Sequence, residues 1–228
     1  DLRGANLVGA DLSAADLTGA NLTKAILTNT KLTKALLLGG DLRGANLVGA
    51  DLSEANLTAA KLMEAILIGA NLSGADLRGS ANLANADLTN ANLTNTELRK
   101  AVLTNTNLTG AILRGVNLGY TDLANQNFSG RDLTGVDFKS VNLFNADLRN
   151  TNLTGANLRG TDLMGADLTK LADLLQKAMM QYSAQHTWQL DSKLQGVADD
   201  AGRIPTAMCR KSTTSGILPM HSFIVKSV

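Results

Sequence analysis

The sequence predicts an all-β solenoid for residues 1–170, and three periodic features predict it. Leucine recurs at every fifth position from Leu2 to Leu77 and, with two phenylalanine exceptions, again from Leu83 to Leu168. A small residue, most often alanine, stands two positions before most of these residues. Glycine or asparagine often stands two positions after it. A repeat of fixed length over so much of a chain is typical of a solenoid.

Each five-residue unit is predicted to form a short strand followed by a turn. In an extended segment alternate side chains share a face, so the small residue and the leucine point inward while the Asp or Asn between them points outward. Glycine or asparagine at the last position, as at Gly4 and Asn29, suits a type II turn because that position takes a positive φ. A helix is excluded, since at ~100° per residue the leucines would spread round every side.

Units such as Ala-Asn-Leu-Val-Gly at 5–9 and Ala-Asn-Leu-Arg-Gly at 156–160 resemble the pentapeptide repeat family. The resemblance covers residues 1–170, and the style of the repeat is similar to that of cyanobacterial members. It implies a right-handed quadrilateral parallel β-helix, with four units or about 20 residues in each coil. It also implies that the leucine and small positions lie inside.

An internal recurrence supports a coil of four units. Residues 1–17 nearly recur at 41–57, and this spacing equals two whole coils. The 34 five-residue units of residues 1–170 then make about 8.5 coils and a rod of roughly 40 Å, at ~4.8 Å per coil.

Ser80 interrupts the repeat, because it delays the next leucine by one residue. We expect a bulged corner at this position. The insertion is either one that a turn tolerates or a bend that shapes a binding surface.

Some outward positions carry aliphatic residues where Asp or Asn is usual. On a 20-residue coil Ile26 and Ile66 fall on one face, with Asn46 between them. These residues are either scattered apolar surface or a patch for a partner or a second copy. The outward aliphatic residues are Ile26, Leu36, Ile66, Val102 and Ile112.

Basic residues form a predicted column of Arg78, Arg99, Lys139 and Arg159, interrupted only by Gly119. Like charges at coil spacing repel each other, so the column indicates an anionic ligand or a solvated charged face.

The inner small position departs from its pattern at Gln126 and Arg131. A buried arginine is costly unless it is paired, and Asp122, Asp132 and Asp137 are the nearby acids that could pair with it. We expect a locally widened coil here.

Two regions follow the repeat. Residues 171–194 have apolar residues at helical spacing and are predicted to form an amphipathic helix that caps the rod. Residues 195–228 are predicted to be a loosely structured tail. Asp1 enters in the middle of a unit, so we expect a removed segment, a partner or another copy to cover that end, and a homodimer through this end is one outcome.

Composition and charge argue against several classes of protein. Net charge is +1, from 21 basic and 20 acidic residues, which makes nucleic acid an improbable partner. The chain has one cysteine, Cys209, and two histidines, His186 and His221, so we expect no catalytic, cofactor or metal site. No apolar run is long enough to span a membrane. The protein is expected in the cytoplasm, or in the periplasm or thylakoid lumen if a signal peptide preceded Asp1.

These features predict a non-enzymatic scaffold that binds another protein. A second hypothesis comes from the family resemblance, since some members imitate DNA and act on type II topoisomerases. Such members are strongly acidic, whereas residues 1–170 hold 16 acidic and 15 basic residues. A third hypothesis is a structural or anion-binding rod that uses the basic column.

Overall fold

A computed structural model describes residues 1–169, which form one continuous stack of coils. Most units contribute a single residue to a parallel β-bridge with the unit 20 residues later, as in Asn6 to Ile26 and Ile26 to Asn46. The coil therefore contains four units. The predicted three-residue strands are shorter than expected, because residues 1–169 contain isolated bridges, from Asn6 to Asp167, and neither strands nor helices.

Backbone hydrogen bonds join each coil to the next in a fixed pattern. The N–H of Leu27 donates to the carbonyl of Asn46 (2.7 Å), and the N–H of Asn46 donates back to Ala25 (2.9 Å). A third bond joins the turns, from the N–H of Asn29 to the carbonyl of Val48 (2.9 Å). Coils at ~4.8 Å spacing thus satisfy their backbone groups even though each side of the coil is only a few residues long.

The last residue of each unit adopts a positive φ, as the sequence predicted. Gly4 has a φ of 64° and Asn29 a φ of 55°. Lysine, glutamate, alanine, serine and tyrosine also occupy this position, at a cost of roughly 1–2 kcal/mol for a side chain in the left-handed region. Glycine is therefore favoured at the corner but not required.

The interior is a column of leucine and alanine. From Leu22 to Leu98 the inward leucines are fully buried, and most of the small residues beside them are alanines that are also fully buried. Phe128 and Phe138 replace leucine in one coil, where their rings meet edge to face with centroids 6.3 Å apart. Burial of each leucine contributes about 1.5–3 kcal/mol before the entropy of folding is subtracted.

Ser80 lengthens one corner without disturbing the stack. The turn there spans residues 78–80, and Ser80 takes a φ of 64°. The bridge from Lys61 to Asn82 spans one residue more than usual. The next bridge in the same column, from Asn82 to Val102, has the ordinary spacing of 20 residues. Columns of side chains therefore continue across the insertion. The predicted cap at 171–194 and tail at 195–228 lie outside the described residues.

Acid should weaken the fold through three aspartate–arginine pairs. Arg43, Arg78 and Arg149 donate from Nη2 to the aspartate two positions earlier at 2.6–2.7 Å. The side-chain hydrogen bond from arginine is the largest cause that lowers the pKa of Asp41, Asp76 and Asp147. Because the folded-state pKa lies below the unfolded value, this stabilisation is present above about pH 4 and is lost as pH falls through the lowered pKa.

We therefore expect the urea midpoint to fall as the pH is lowered from about 5 to about 2. The variant with Asp41→Asn, Asp76→Asn and Asp147→Asn should show a smaller fall. Asparagine is a fair replacement, since Asn46 Oδ1 already accepts the N–H of Val48 (3.1 Å) in the same geometry. An equally steep fall in the triple variant would show that other groups cause the acid sensitivity.

Candidate interaction surface

Three of the four predicted basic residues lie in one column at one corner of the rod, with Gly119 on the coil between Arg99 and Lys139. Backbone bonds from Lys100 N–H to Gly119 (3.0 Å), from Tyr120 N–H to Lys139 (2.9 Å) and from Ser140 N–H to Arg159 (2.9 Å) establish the order Arg99, Gly119, Lys139, Arg159. The column predicted from the sequence therefore exists in space.

Arg78 occupies the same column but differs in its environment. Its guanidinium binds both carboxylate oxygens of Asp76, through Nε at 2.9 Å and Nη2 at 2.6 Å. Its charge is thus balanced within its own unit. For this reason we exclude Arg78 from the candidate surface and begin that surface at Arg99.

Lys100 and Tyr120 join the surface, and the sequence analysis missed both. Each stands at the corner position that usually holds glycine or asparagine. Tyr120 is 45% exposed, and the Nζ atoms of Lys100 and Lys139 lie 5.9 and 5.6 Å from its ring centroid. Ammonium groups at this distance from an aromatic ring are attracted to its face. Lysine and tyrosine at a glycine corner were the signal available in the sequence.

We name this surface the basic corner, formed by Arg99, Lys100, Tyr120, Lys139 and Arg159. Its four cations form no ion pair with any residue in the range 1–169.

Two acids share the face of the rod on which the basic corner lies. Glu97 accepts a hydrogen bond from Asn117 Nδ2 (2.9 Å), and Asp137 accepts one from Asn157 Nδ2 (2.8 Å). The basic corner and these two acids together carry more positive than negative charge.

The apolar residues Ile26 and Ile66 lie on a different side of the rod. The bridges from Ile26 to Asn46 and from Asn46 to Ile66 place them two coils apart, with exposures of 40% and 39%. Val8 (53% exposed) and Ile68 (37%) extend the same side. Leu36, Val102 and Ile112 belong to the other three sides, so the five outward aliphatic residues do not form one patch.

The coil that holds Gln126 and Arg131 at its inner positions is separated from the coil before it, and we call it the parted coil. Bridges that the pattern requires between 102 and 122, 107 and 127, and 112 and 132 do not form, and only the bridge from Asn117 to Asp137 joins these coils. Arg131 Nη1 donates to the carbonyl of Ala111 (2.9 Å), which would otherwise accept the N–H of Asp132. The predicted acidic partner of Arg131 is thus replaced by a backbone carbonyl, and burial lowers the pKa of the guanidinium.

No group of three or more His, Cys, Asp or Glu side chains within residues 1–169 could hold a metal ion. In the same range, no helix has the length and apolar character needed to cross a membrane. The surface features of the rod are therefore flat faces and corners, together with the parted coil.

The stack of five-residue units defines a class of protein, and comparison with known families agrees with it. The model for pentapeptide repeats matches eight copies, over residues 1–37, 41–79, 81–119, 117–155 and 132–169. The chain belongs to the pentapeptide repeat family.

Solved structures of family members are similar to the chain. Rfr23 from the cyanobacterium Cyanothece 51142 is 36% identical over 46% of this chain and 85% of its own, with a TM-score of 0.45. HetL from the cyanobacterium Nostoc sp. strain PCC 7120, involved in heterocyst differentiation regulation, is 34% identical over 73% of this chain and 84% of its own, with a TM-score of 0.37.

A third solved structure is that of QnrB1, a plasmid-mediated fluoroquinolone resistance protein. It is 25% identical over 77% of this chain and 96% of its own, with a TM-score of 0.49. None of the curated proteins compared with the chain matches it.

Proposed function

We propose that the protein is a non-enzymatic scaffold that binds an acidic segment of a partner protein at the basic corner. The observation that carries this proposal is the set of four cations of the basic corner, none of which is ion-paired within residues 1–169 and two of which lie at the ring of the exposed Tyr120. A right-handed rod, a helical cap over 171–194 and a location in the cytoplasm or in an export compartment are parts of the same proposal.

Charge and shape both favour a protein partner at this corner. Carboxylates that approach Arg99, Lys139 and Arg159 would relieve the repulsion between these like charges. Tyr120 adds a rigid aromatic surface, and tyrosine and arginine are the side chains that contribute most often to protein interfaces. Glycine at 119 lets the Arg99 side chain lie against the next coil, because a Cβ atom there would come within 3.2 Å of Asn117 Oδ1 and 3.4 Å of Arg99 Cγ.

The DNA-mimic hypothesis has less support. A mimic of DNA needs rows of unpaired negative charge, whereas Asp41, Asp76 and Asp147 each bind an arginine two positions later. We therefore keep it as the alternative that a supercoiling assay decides. Protection or inhibition of gyrase by the protein would place that function first.

The variant Arg99→Ser, Lys139→Ser and Arg159→Ser should bind a fluorescein-labelled glutamate-rich peptide about tenfold more weakly than the natural protein does. Three exposed charge pairs at about 0.5 kcal/mol each account for this change. Fluorescence anisotropy at low salt measures the affinity, and duplex DNA of equal charge serves as the competitor.

A matched control changes Lys24, Lys31 and Lys61 to serine. It alters net charge by the same amount at exposed or half-exposed positions away from the basic corner. Equal weakening in both variants would mean that overall charge rather than the corner binds the peptide. Preference for DNA over the peptide would contradict a protein partner.

A further inference from the structure

The gap between the parted coils leaves main-chain donors without acceptors. In other coils the N–H of the central leucine and of the corner residue points to the next coil and donates to its carbonyls. At the gap the N–H groups of Gly110 and Leu113 have no acceptor within residues 1–169. Gly110 is exposed, so its N–H is open to a ligand with acceptor oxygens.

The cause of the gap is the size of two inner side chains. Gln126 and Arg131 stand at a position that alanine, threonine, valine or glycine fills in the other units. Both are only half-buried, and the arginine reaches across to Ala111 instead of filling the interior. A cleft of about 540 Å³ opens at this corner, between Ala111 and Ile112 on one side and Gly130 and Arg131 on the other.

Two arginines line this cleft. Arg114 is exposed and forms no ion pair within residues 1–169. The pKa of Asp132 is lowered mainly by hydrogen bonds from Thr134, and the charge of Arg114 adds to this effect. Arg131 uses one N–H on the Ala111 carbonyl, and its remaining donors have no protein acceptor in that range. Asp132 is the acid of the cleft, but its Oδ1 already accepts bonds from the Thr134 N–H (3.0 Å) and from Asn152 Nδ2 (3.3 Å).

We propose that this cleft binds an oxyanion, a carboxylate or a phosphate, between the guanidinium groups of Arg114 and Arg131 and the N–H group of Gly110. Planar guanidinium groups and convergent main-chain N–H groups are the donors that proteins use for both anions. The volume is typical of sites for small organic ligands, so it admits more than a single ion.

The site is separate from the basic corner. Gly110 and Tyr120 end units that lie two corners apart in the same coil, so on a four-sided coil the cleft lies diagonally opposite Tyr120. The oxyanion site therefore does not depend on the proposed function. A change at one corner should leave binding at the other unaltered.

Isothermal titration calorimetry with three probes tests this proposal and distinguishes the sources of the anion. The probes are inorganic phosphate, citrate, and the peptide acetyl-Gly-Glu-Gly-amide, with acetyl-Gly-Gln-Gly-amide as the uncharged reference. Tightest binding of phosphate or citrate indicates a free small anion, and tightest binding of the glutamate peptide indicates an acidic side chain of a partner. In each case the bound anion should protect the amide of Gly110 from hydrogen exchange.

Variants separate the site from a general effect of charge. Arg114→Ser and Arg131→Lys should each weaken binding about tenfold, because a charged hydrogen bond or its bidentate geometry is lost. Asp132→Asn should strengthen binding severalfold by removing the competing negative charge, and Lys61→Ser should change nothing. Arg114 is exposed, so its substitution leaves the core intact.

The proposal is overturned by any of three results. These are no binding of the charged probes at millimolar concentration, binding of the uncharged glutamine peptide as tight as that of the tightest charged probe, or an affinity that Arg114→Ser and Arg131→Lys leave unchanged. The triple serine variant of the basic corner should retain binding, so failure of the proposed function and failure of the oxyanion site give different results.

Discussion

Leu67→Ala should lower the free energy of unfolding by about 2–5 kcal/mol. Leu67 is fully buried in the middle of the leucine column, with Leu47 on the coil before it and Leu88 on the coil after it, both also fully buried. Each coil is held on both sides by its neighbours, so the cavity cannot close by a local collapse. Urea denaturation followed by far-UV circular dichroism measures the change.

The adjacent residue provides a matched control. Ile68 is 37% exposed and points away from the interior, so Ile68→Ala should cost about 0.5–1 kcal/mol. Both changes remove an aliphatic side chain at neighbouring positions of one unit. Similar losses in the two variants would contradict the assignment of inward and outward positions.

The double variant Gln126→Ala and Arg131→Ala should stabilise the protein, by about 2–3 kcal/mol. Alanine is the usual residue at both positions, and with it the parted coil should close onto the coil before it. The carbonyl of Ala111 would then accept the N–H of Asp132, and Leu108 N–H would donate to Asn127, as the equivalent groups do elsewhere. Each re-formed backbone bond contributes about 0.5–1.5 kcal/mol net.

Hydrogen exchange provides a direct readout of this closure. The amides of Leu108 and Asp132 should exchange slowly in the double variant and rapidly in the natural protein. Val141→Ala is the control, because Val141 occupies the same inner position in the following coil, where the ladder is intact, and its truncation should destabilise. A less stable double variant with unprotected amides would show that the two large side chains do not cause the gap.

The local structure of each unit follows from the sequence alone. Leucine with a small residue two positions before it has to be inward on an extended segment, and glycine or asparagine at the end marks the positive φ. The family resemblance implied four units in a coil, one internal recurrence supported that number, and the resulting coil length placed Arg99, Lys139 and Arg159 in one column. These predictions succeed because each coil of a solenoid contacts only the coils next to it, so the pattern of one five-residue unit holds along the whole stack.

Contacts between coils decided what the sequence could not. Arg78 and Arg99 occupy equivalent positions, yet only Arg78 is neutralised, because Asp76 stands in its own unit where the next has the longer Glu97. The role proposed for Tyr120 depends on Lys100 and Lys139, which lie on the neighbouring coils. The sequence indicated that Arg131 does not fit the inner position. Only the structure shows that its side chain donates to the carbonyl of Ala111 rather than pairing with an aspartate, because the two coils separate there.

The sequence by itself thus determined the architecture, because the periodic side chains decide which atoms are buried. Only the tertiary structure decided where function can reside. The basic corner and the oxyanion cleft both consist of residues that are distant in sequence and adjacent in the stack. The free energy of binding at each depends on which polar groups the adjacent coil leaves without a partner.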